Sequence, residues 1–173
     1  VVDSRTTAMG LGFAAVHAAT AARSGATGAE VEDAATAAAA RSRTLFVVET
    51  LEHLRRGGRI GHAAALLGTA LMVKPILHMA DGEITPLEKV RTTSRAMTRL
   101  VELAAEAAAG EPDVEVAVHH LAAPDRAAEL ATRLDERLPS SRGCVVSELG
   151  AVIGAHTGPG VLGVVVQPPA PAP

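Results

Sequence analysis

Pro75-Ile76-Leu77-His78-Met79-Ala80-Asp81-Gly82-Glu83-Ile84-Thr85-Pro86-Leu87-Glu88-Lys89-Val90 reads as two strands joined by a tight turn. Asp-Gly between two apolar runs is a strong hairpin signal, because both central residues of the favoured turn take positive φ. A hairpin makes its two strands antiparallel, so the sheet that contains it is not purely parallel. Pro86 has no N–H to donate, which places its strand at an edge or a bulge. Upstream, Leu45-Phe46-Val47-Val48 is a short apolar run and reads as a buried strand. Downstream, Val114, Val116 and Val118 alternate with Glu115 and Ala117, and Cys144-Val145-Val146 and 161–166 read as two further strands.

Helical patterns separate these strands. Met9, Leu11, Phe13 and Val16 fall in an alanine-rich run over about 7–23 that stops at Ser24-Gly25, with Ser4, Thr6 or Thr7 as its cap. Thr27 and Glu30 have the spacing of a capping box for a second helix over 28–41. A one- or two-turn helix follows Thr50, and another covers 61–71. The clearest amphipathic helix spans 92–109, with Ala96, Leu100, Leu103 and Ala107 in register; Pro124 opens one that runs to Leu138. Alternating strands and helices define an α/β chain: a mixed sheet with helices on its faces. Residues 150–160 are glycine-rich and read as a loop, and 168–173 is a Pro/Ala tail.

The 173 residues are 48% hydrophobic but only 1% aromatic, with a net charge of −3. That much apolar content argues against disorder. No stretch of about 18 uncharged apolar residues occurs, so no stable membrane insertion is expected. With so few aromatics to stack bases and a pI near 6.2, nucleic acid is not an expected partner. The single Cys144 cannot form an intrachain disulfide, which suits a reducing, cytoplasmic location. Set among valines, it reads as a buried inert thiol. Val1-Val2 reads as the end of a buried strand, so the start at Val1 reads as a cut.

Three stretches carry candidate chemistry. Gly10-x-Gly12-x-x-Ala15 approaches a dinucleotide fingerprint, but five residues separate it from the preceding turn; close helix packing is the competing reading. Arg55-Arg56-Gly57-Gly58-Arg59 sets three guanidinium groups around two glycines, either to grip an anion or to offset a helix dipole. Gly154-Ala155-His156-Thr157-Gly158-Pro159-Gly160 holds a histidine that either meets an anionic ligand, serves as acid or base, or simply packs in a loop. His119 and His120 are adjacent on a strand, face opposite ways and cannot share a metal. No Cys/His cluster has zinc spacing, so neither a metal nor a cofactor is expected.

In order along the chain, these stretches resemble the DegV family of bacterial fatty-acid-binding proteins. The likeness rests on Val-Val-Asp-Ser-Arg (1–5) with Met9-Gly10-Leu11-Gly12, on Glu49-Thr50-Leu51-Glu52-His53-Leu54-Arg55-Arg56-Gly57-Gly58-Arg59-Ile60, and on Ala-Ala-Ala-Leu-Leu-Gly over 63–68. It continues through Lys74-Pro75-Ile76-Leu77, Asp81-Gly82-Glu83, Glu88-Lys89-Val90-Arg91 and Gly154 to Gly160. The resemblance implies the second domain of a two-domain DegV-like fold plus a remnant of the first: 1–43 the remnant, 44–167 the second α/β domain.

Such proteins bind a long-chain fatty acid and present its carboxylate to a fatty-acid kinase, which forms acyl phosphate for phospholipid synthesis; the binding protein is not catalytic alone. His156 corresponds to a histidine near the lipid carboxylate. Arg59 and Arg91 correspond to basic residues near that end or on the face shown to the kinase. Met9, Leu67, Leu71 and Ile76 are the acyl-tunnel candidates. Met72 stands where the family often has a polar residue. The family's Thr-Ser-x-Pro-Ser and Ser-Gly-Thr-Tyr stretches, whose hydroxyls hold the carboxylate, have no counterpart here, so lipid binding by the 173 residues is expected to be weaker than by a full-length relative. Two alternatives stand beside this reading: an enzyme on a small anionic substrate with His156 as acid/base, and a truncated interaction module that binds no lipid.

Overall fold

The computed structural model describes residues 1–66 and 73–170. Its strands are β1 (Arg43–Val47), β2 (Lys74–Ala80), β3 (Glu83–Val90), β4 (Glu115–His120), β5 (Cys144–Glu148) and β6 (Leu162–Gln167), and its helices are α1 (Met9–Arg23), α2 (Gly28–Arg41), α3 (Glu52–Arg56), α4 (Thr93–Ala108), α5 (Pro124–Arg137) and α6 (Ala151–Thr157). The strands form one sheet in the order β3-β2-β1-β6-β4-β5. Only β4 and β5 run parallel; every other neighbouring pair is antiparallel. The sheet is therefore mixed, as the hairpin required.

Alternation along the strands divides the core. Leu45, Val47, Ile76, Val116, Val118, Leu162, Val164 and Val166 face α4 and α5, where they meet Ala96, Leu100, Ala104, Ala127, Leu130 and Leu134. Small alanines let these helices sit close on the sheet, and each fully buried leucine stabilises the fold by about 1.5–3 kcal/mol. Thr92 caps α4 by accepting from the Arg95 N–H at 3.2 Å. On the opposite face, Phe46, Leu77 and Leu54 form one smaller cluster, and Phe13, Ala117 and Val165 form another.

α1 is tied to that second face by polar contacts as well. Met9 N–H donates to His119 Nε2 at 3.2 Å, and His17 Nε2 lies 2.6 Å from Glu115 Oε2. Gly10 serves close packing: a Cβ there would lie 2.4 Å from Thr6 Oγ1 and 3.1 Å from Thr44 Oγ1. No strand precedes α1 among the described residues, which removes the turn a dinucleotide fingerprint needs. The expected capping box of α2 is formed, with Thr27 and Glu30 bonding reciprocally.

Several expectations are corrected. Val1-Val2 is not a strand: among the described residues no strand pairs with it, and Val1 is exposed. Ala8, at φ 51°, precedes α1 instead of a hydroxyl cap, because Ser4 Oγ donates to the Thr6 carbonyl and Thr6 Oγ1 bonds Thr44 Oγ1. The segment after Gly61 is a 3-10 turn, Gly61–Leu66, over its described part; Leu67, Leu71 and Met72 lie outside the described residues. The glycine-rich loop contains α6, in which Gly154 packs against Leu121; a Cβ there would lie 2.9 Å from Leu121 Cδ2 and that side chain would have to shift.

The two sheet edges differ. β3 carries Pro86, and the register slips opposite Ile76/Leu77, so the proline sits at a bulged edge. β5 is also an edge, and its Val145 and Val146 are 50% and 44% exposed rather than buried. Cys144 beside them is only partly buried. Burial nonetheless pushes its thiol up to about 11, which keeps it protonated and unreactive at neutral pH.

Candidate functional site

A cavity of about 570 Å³ lies on the sheet face opposite α4 and α5. Its floor is Ile84 of β3, Met79 of β2, Thr44 and Phe46 of β1, Gly163 and Val165 of β6 and His119 of β4. Its walls are Thr7 and Ala8 on one side, Leu54, Gly58, Arg59 and Gly61 after α3 on another, and Leu149, Val152, Ile153, His156 and Thr157 around α6 on a third. The lining is mainly aliphatic, with a few polar groups.

The Arg-Gly-Gly-Arg and His-Thr-Gly-Pro-Gly stretches build one wall by interlocking. A Cβ on Gly57 would fall 2.0 Å from His156 Nδ1, and a Cβ on Gly158 would fall 2.3 Å from His53 Cδ2. Each stretch thus lacks a side chain where the other inserts a histidine ring. α6 turns His156 into this gap from its last turn, and Thr157 bonds back to the Ile153 carbonyl at 3.1 Å.

The three arginines of the first stretch separate in role. Arg55 donates two hydrogen bonds to Glu52, at 2.8 and 2.6 Å, and Arg56 donates one at 2.8 Å. The bond from Arg55, joined by that from Arg56, outweighs desolvation and holds the Glu52 carboxyl at about 2. Arg59 lines the cavity and pairs with no carboxylate among the described residues. His156 makes no hydrogen bond to a described residue, and its Nδ1 is buried against Gly57 without a partner. Among the described residues, a cation with no carboxylate partner and a histidine with an unpartnered ring nitrogen therefore both line this cavity.

Nearby, Glu49 accepts from Lys74 and, at 2.9 Å, from Arg126. Burial pushes its carboxyl up, but these two cations outweigh burial and hold it below the usual carboxylate range. Gly160 gives this network room, since a Cβ there would meet Glu49 Cγ at 2.6 Å.

His119 is the polar centre of the floor. Its Nε2 accepts from Met9 N–H, so its Nδ1 carries the hydrogen and donates to Ser147 Oγ at 3.0 Å. Burial, reinforced by the neighbouring His120, lowers its pKa below the ordinary histidine value. The folded form is thus neutral, while the unfolded chain binds a proton near pH 6.5. Stability from His119 is full above about pH 6.5 and declines as pH falls below that value, towards the lowered pKa of the folded form. His78 is also lowered, by burial and then Arg43, and adds to the same window; Glu49, Glu52 and Glu88 act below it. Melting temperatures measured from pH 7.5 to 5 are expected to fall, and His119→Gln is expected to flatten part of that fall. An unchanged profile in the variant would contradict this assignment.

The remaining candidates lie elsewhere. Arg91 is exposed in the turn between β3 and α4 and does not line the cavity. Ile76 points to the α4/α5 core, because strand alternation puts it on the other face from Leu77. Met9 packs beside Phe13, next to the lining residue Ala8. His119 and His120 have separate partners, and no group of three metal-ligating side chains occurs among the described residues. Thr44, Met79, Ile84, His119 and Gly163 are lining residues not singled out from the sequence as a ligand site. Period-two alternation puts them on one face, but only helix placement shows which face is left open.

The fold and this wall define a class. The model of the "Uncharacterised protein, DegV family" matches residues 1–169, and the chain belongs to the DegV family. It is 58% identical over 167 residues to a DegV domain-containing protein of Streptomyces coelicolor, covering 96% of this chain and 59% of that one. The solved DegV of Bacillus subtilis, described as a fatty acid binding protein, is 35% identical with a TM-score of 0.85, covering 97% of this chain and 60% of that one. A Thermus thermophilus family protein, also described by fatty acid binding, is 30% identical with a TM-score of 0.92, covering 98% and 60%. The chain thus spans about three-fifths of the length of the relatives it matches. Among the described residues no helix is long and apolar enough to cross a membrane.

Proposed function

We propose that this chain binds a long-chain fatty acid, with the alkyl chain in the cavity and the carboxylate at Arg59 and His156. The observation that carries this reading is the pairing of a largely aliphatic cavity with Arg59, which has no carboxylate partner among the described residues, and His156, whose Nδ1 has no partner among them. Each methylene moved from water into such a cavity gains about 0.8 kcal/mol, and a carboxylate leaving water needs a cation or donors. The largely aliphatic lining favours a linear lipid over a small polar substrate. The fatty acids described for the Bacillus subtilis and Thermus thermophilus relatives support the same class of ligand.

The finer reading follows from it. The carboxylate is presented to a fatty-acid kinase that makes the acyl phosphate in the cytoplasm, with this protein as the non-catalytic carrier. Arg91, exposed on its turn, serves that partner, and Leu67 and Leu71 complete the cover over the acyl chain. Residues 1–43 belong to a first α/β domain and 44–167 to a second, in keeping with a sheet that begins at Arg43.

Titration of the delipidated protein with palmitate and with hexadecanol tests the binding step. Arg59→Ala and His156→Gln are each expected to weaken palmitate about tenfold or more, the effect of losing one charge-assisted hydrogen bond. The alcohol is expected to change little. Equal losses for acid and alcohol would show that neither residue reads the carboxylate.

A further inference from the structure

We propose that Gly163 is the specificity residue of the cavity floor: its missing side chain is the slot through which a narrow, unbranched chain lies across the sheet. The inference deepens the fatty-acid reading and rests on it. β6 is a central strand, bonded on both sides, with the sequence Leu-Gly-Val-Val-Val-Gln over 162–167. A glycine in such a place weakens a strand, and it marks a bulge, a close backbone approach or a ligand.

The first two causes are absent here. Both ladders of β6 run without a register shift, from Arg43↔Val166 to Val47↔Leu162 and from Glu115↔Gln167 to His120↔Leu162. Gly163 has no positive φ. The atoms nearest to a Cβ built on it would be Leu45 O and Phe46 Cβ at 3.6 Å and His119 Cβ at 3.7 Å, ordinary contacts within the sheet. The backbone and its neighbours accept a Cβ here; what a larger side chain would reach into is the cavity between Phe46 and His119.

His119 fits the same role. Both ring nitrogens are engaged, by Met9 N–H and Ser147 Oγ, so beside the slot it offers its ring carbons and no free donor. Polymethylene is the matching chemistry: thin, flexible and without polar groups. A branched or ring-bearing chain is too wide.

The test is a series at one position, Gly163→Ala and Gly163→Val, in the delipidated 173-residue chain. Palmitate affinity and binding of the fluorescent probe parinaryl alcohol, an unbranched polyene chain without the carboxylate, are measured beside the melting temperature. The expected result is a graded loss of palmitate affinity, reaching about tenfold or more for valine. The probe signal falls in parallel, and the melting temperature is unchanged or raised, because valine favours a strand. Equal palmitate affinity in wild type and Gly163→Val would overturn the proposal. A collapse in melting temperature would also overturn it, since the backbone would then need the glycine. Failure of the wild-type chain to bind palmitate would overturn the fatty-acid reading instead. In that case an undiminished probe signal in Gly163→Val would separately overturn the slot.

Discussion

Gly158→Ala is expected to lower the melting temperature by about 4–24 °C, taking about 2–6 kcal/mol of destabilisation at about 2–4 °C per kcal/mol for a chain this size. Two effects add. Gly158 has φ 74° and ψ 170°, a region used almost solely by glycine, where another residue costs about 1–3 kcal/mol. Its new methyl would also lie 2.3 Å from His53 Cδ2 and 2.7 Å from His53 Nε2, and overpacking of this kind costs about 1–3 kcal/mol. Gly57→Ala makes the useful comparison, because Gly57 has no positive φ and only the clash with His156 remains. Circular dichroism melts of the two variants separate strain from crowding. Equal losses would remove the strain contribution at Gly158, and no loss at Gly158 would contradict the interlock.

Leu100→Ala is expected to cost about 2–5 kcal/mol, the usual range for emptying a fully buried leucine site. Leu100 is 0% exposed in the middle of α4, with Ala96 and Ala104 one turn away on either side. Those neighbours are too short to reach into the space, and with an almost wholly aliphatic core no large ring is at hand to tilt into it. Urea unfolding is expected to show a lower midpoint with an unchanged slope. Because Leu100 lies on the face opposite the cavity, ligand affinity of the folded fraction is expected to persist. A loss below about 1 kcal/mol would mean that α4 settles onto the sheet and closes the gap.

The elements most legible in the sequence are those whose stabilising contacts are local. Asp81-Gly82, the Thr27–Glu30 box and the apolar face of α5 are each specified within a few residues, and each forms. α6 was missed because its reason is distant: Gly154 reads as a breaker until Leu121 is seen against it. The site divides the same way. His156 and Arg59 stand out in motifs, and both line the cavity. Arg91 and Ile76 belong to motifs just as distinctive, yet a turn and one step of strand alternation carry them elsewhere. Gly163 left no signal beyond a glycine among valines, whose meaning depends on helices that leave one patch of sheet uncovered.

The reciprocal seating of His156 on Gly57 and His53 on Gly158 joins segments about a hundred residues apart in the chain. α3 has five residues and α6 seven, too short to hold a helical shape alone. Both are expected to seat only after β1, β2, β4 and β6 have paired. The cavity wall is therefore expected to form late in folding, after the costly loop closures of a largely antiparallel sheet. A nascent or partly unfolded chain would show a lipid no pocket, and occupancy would report on the finished sheet as a whole.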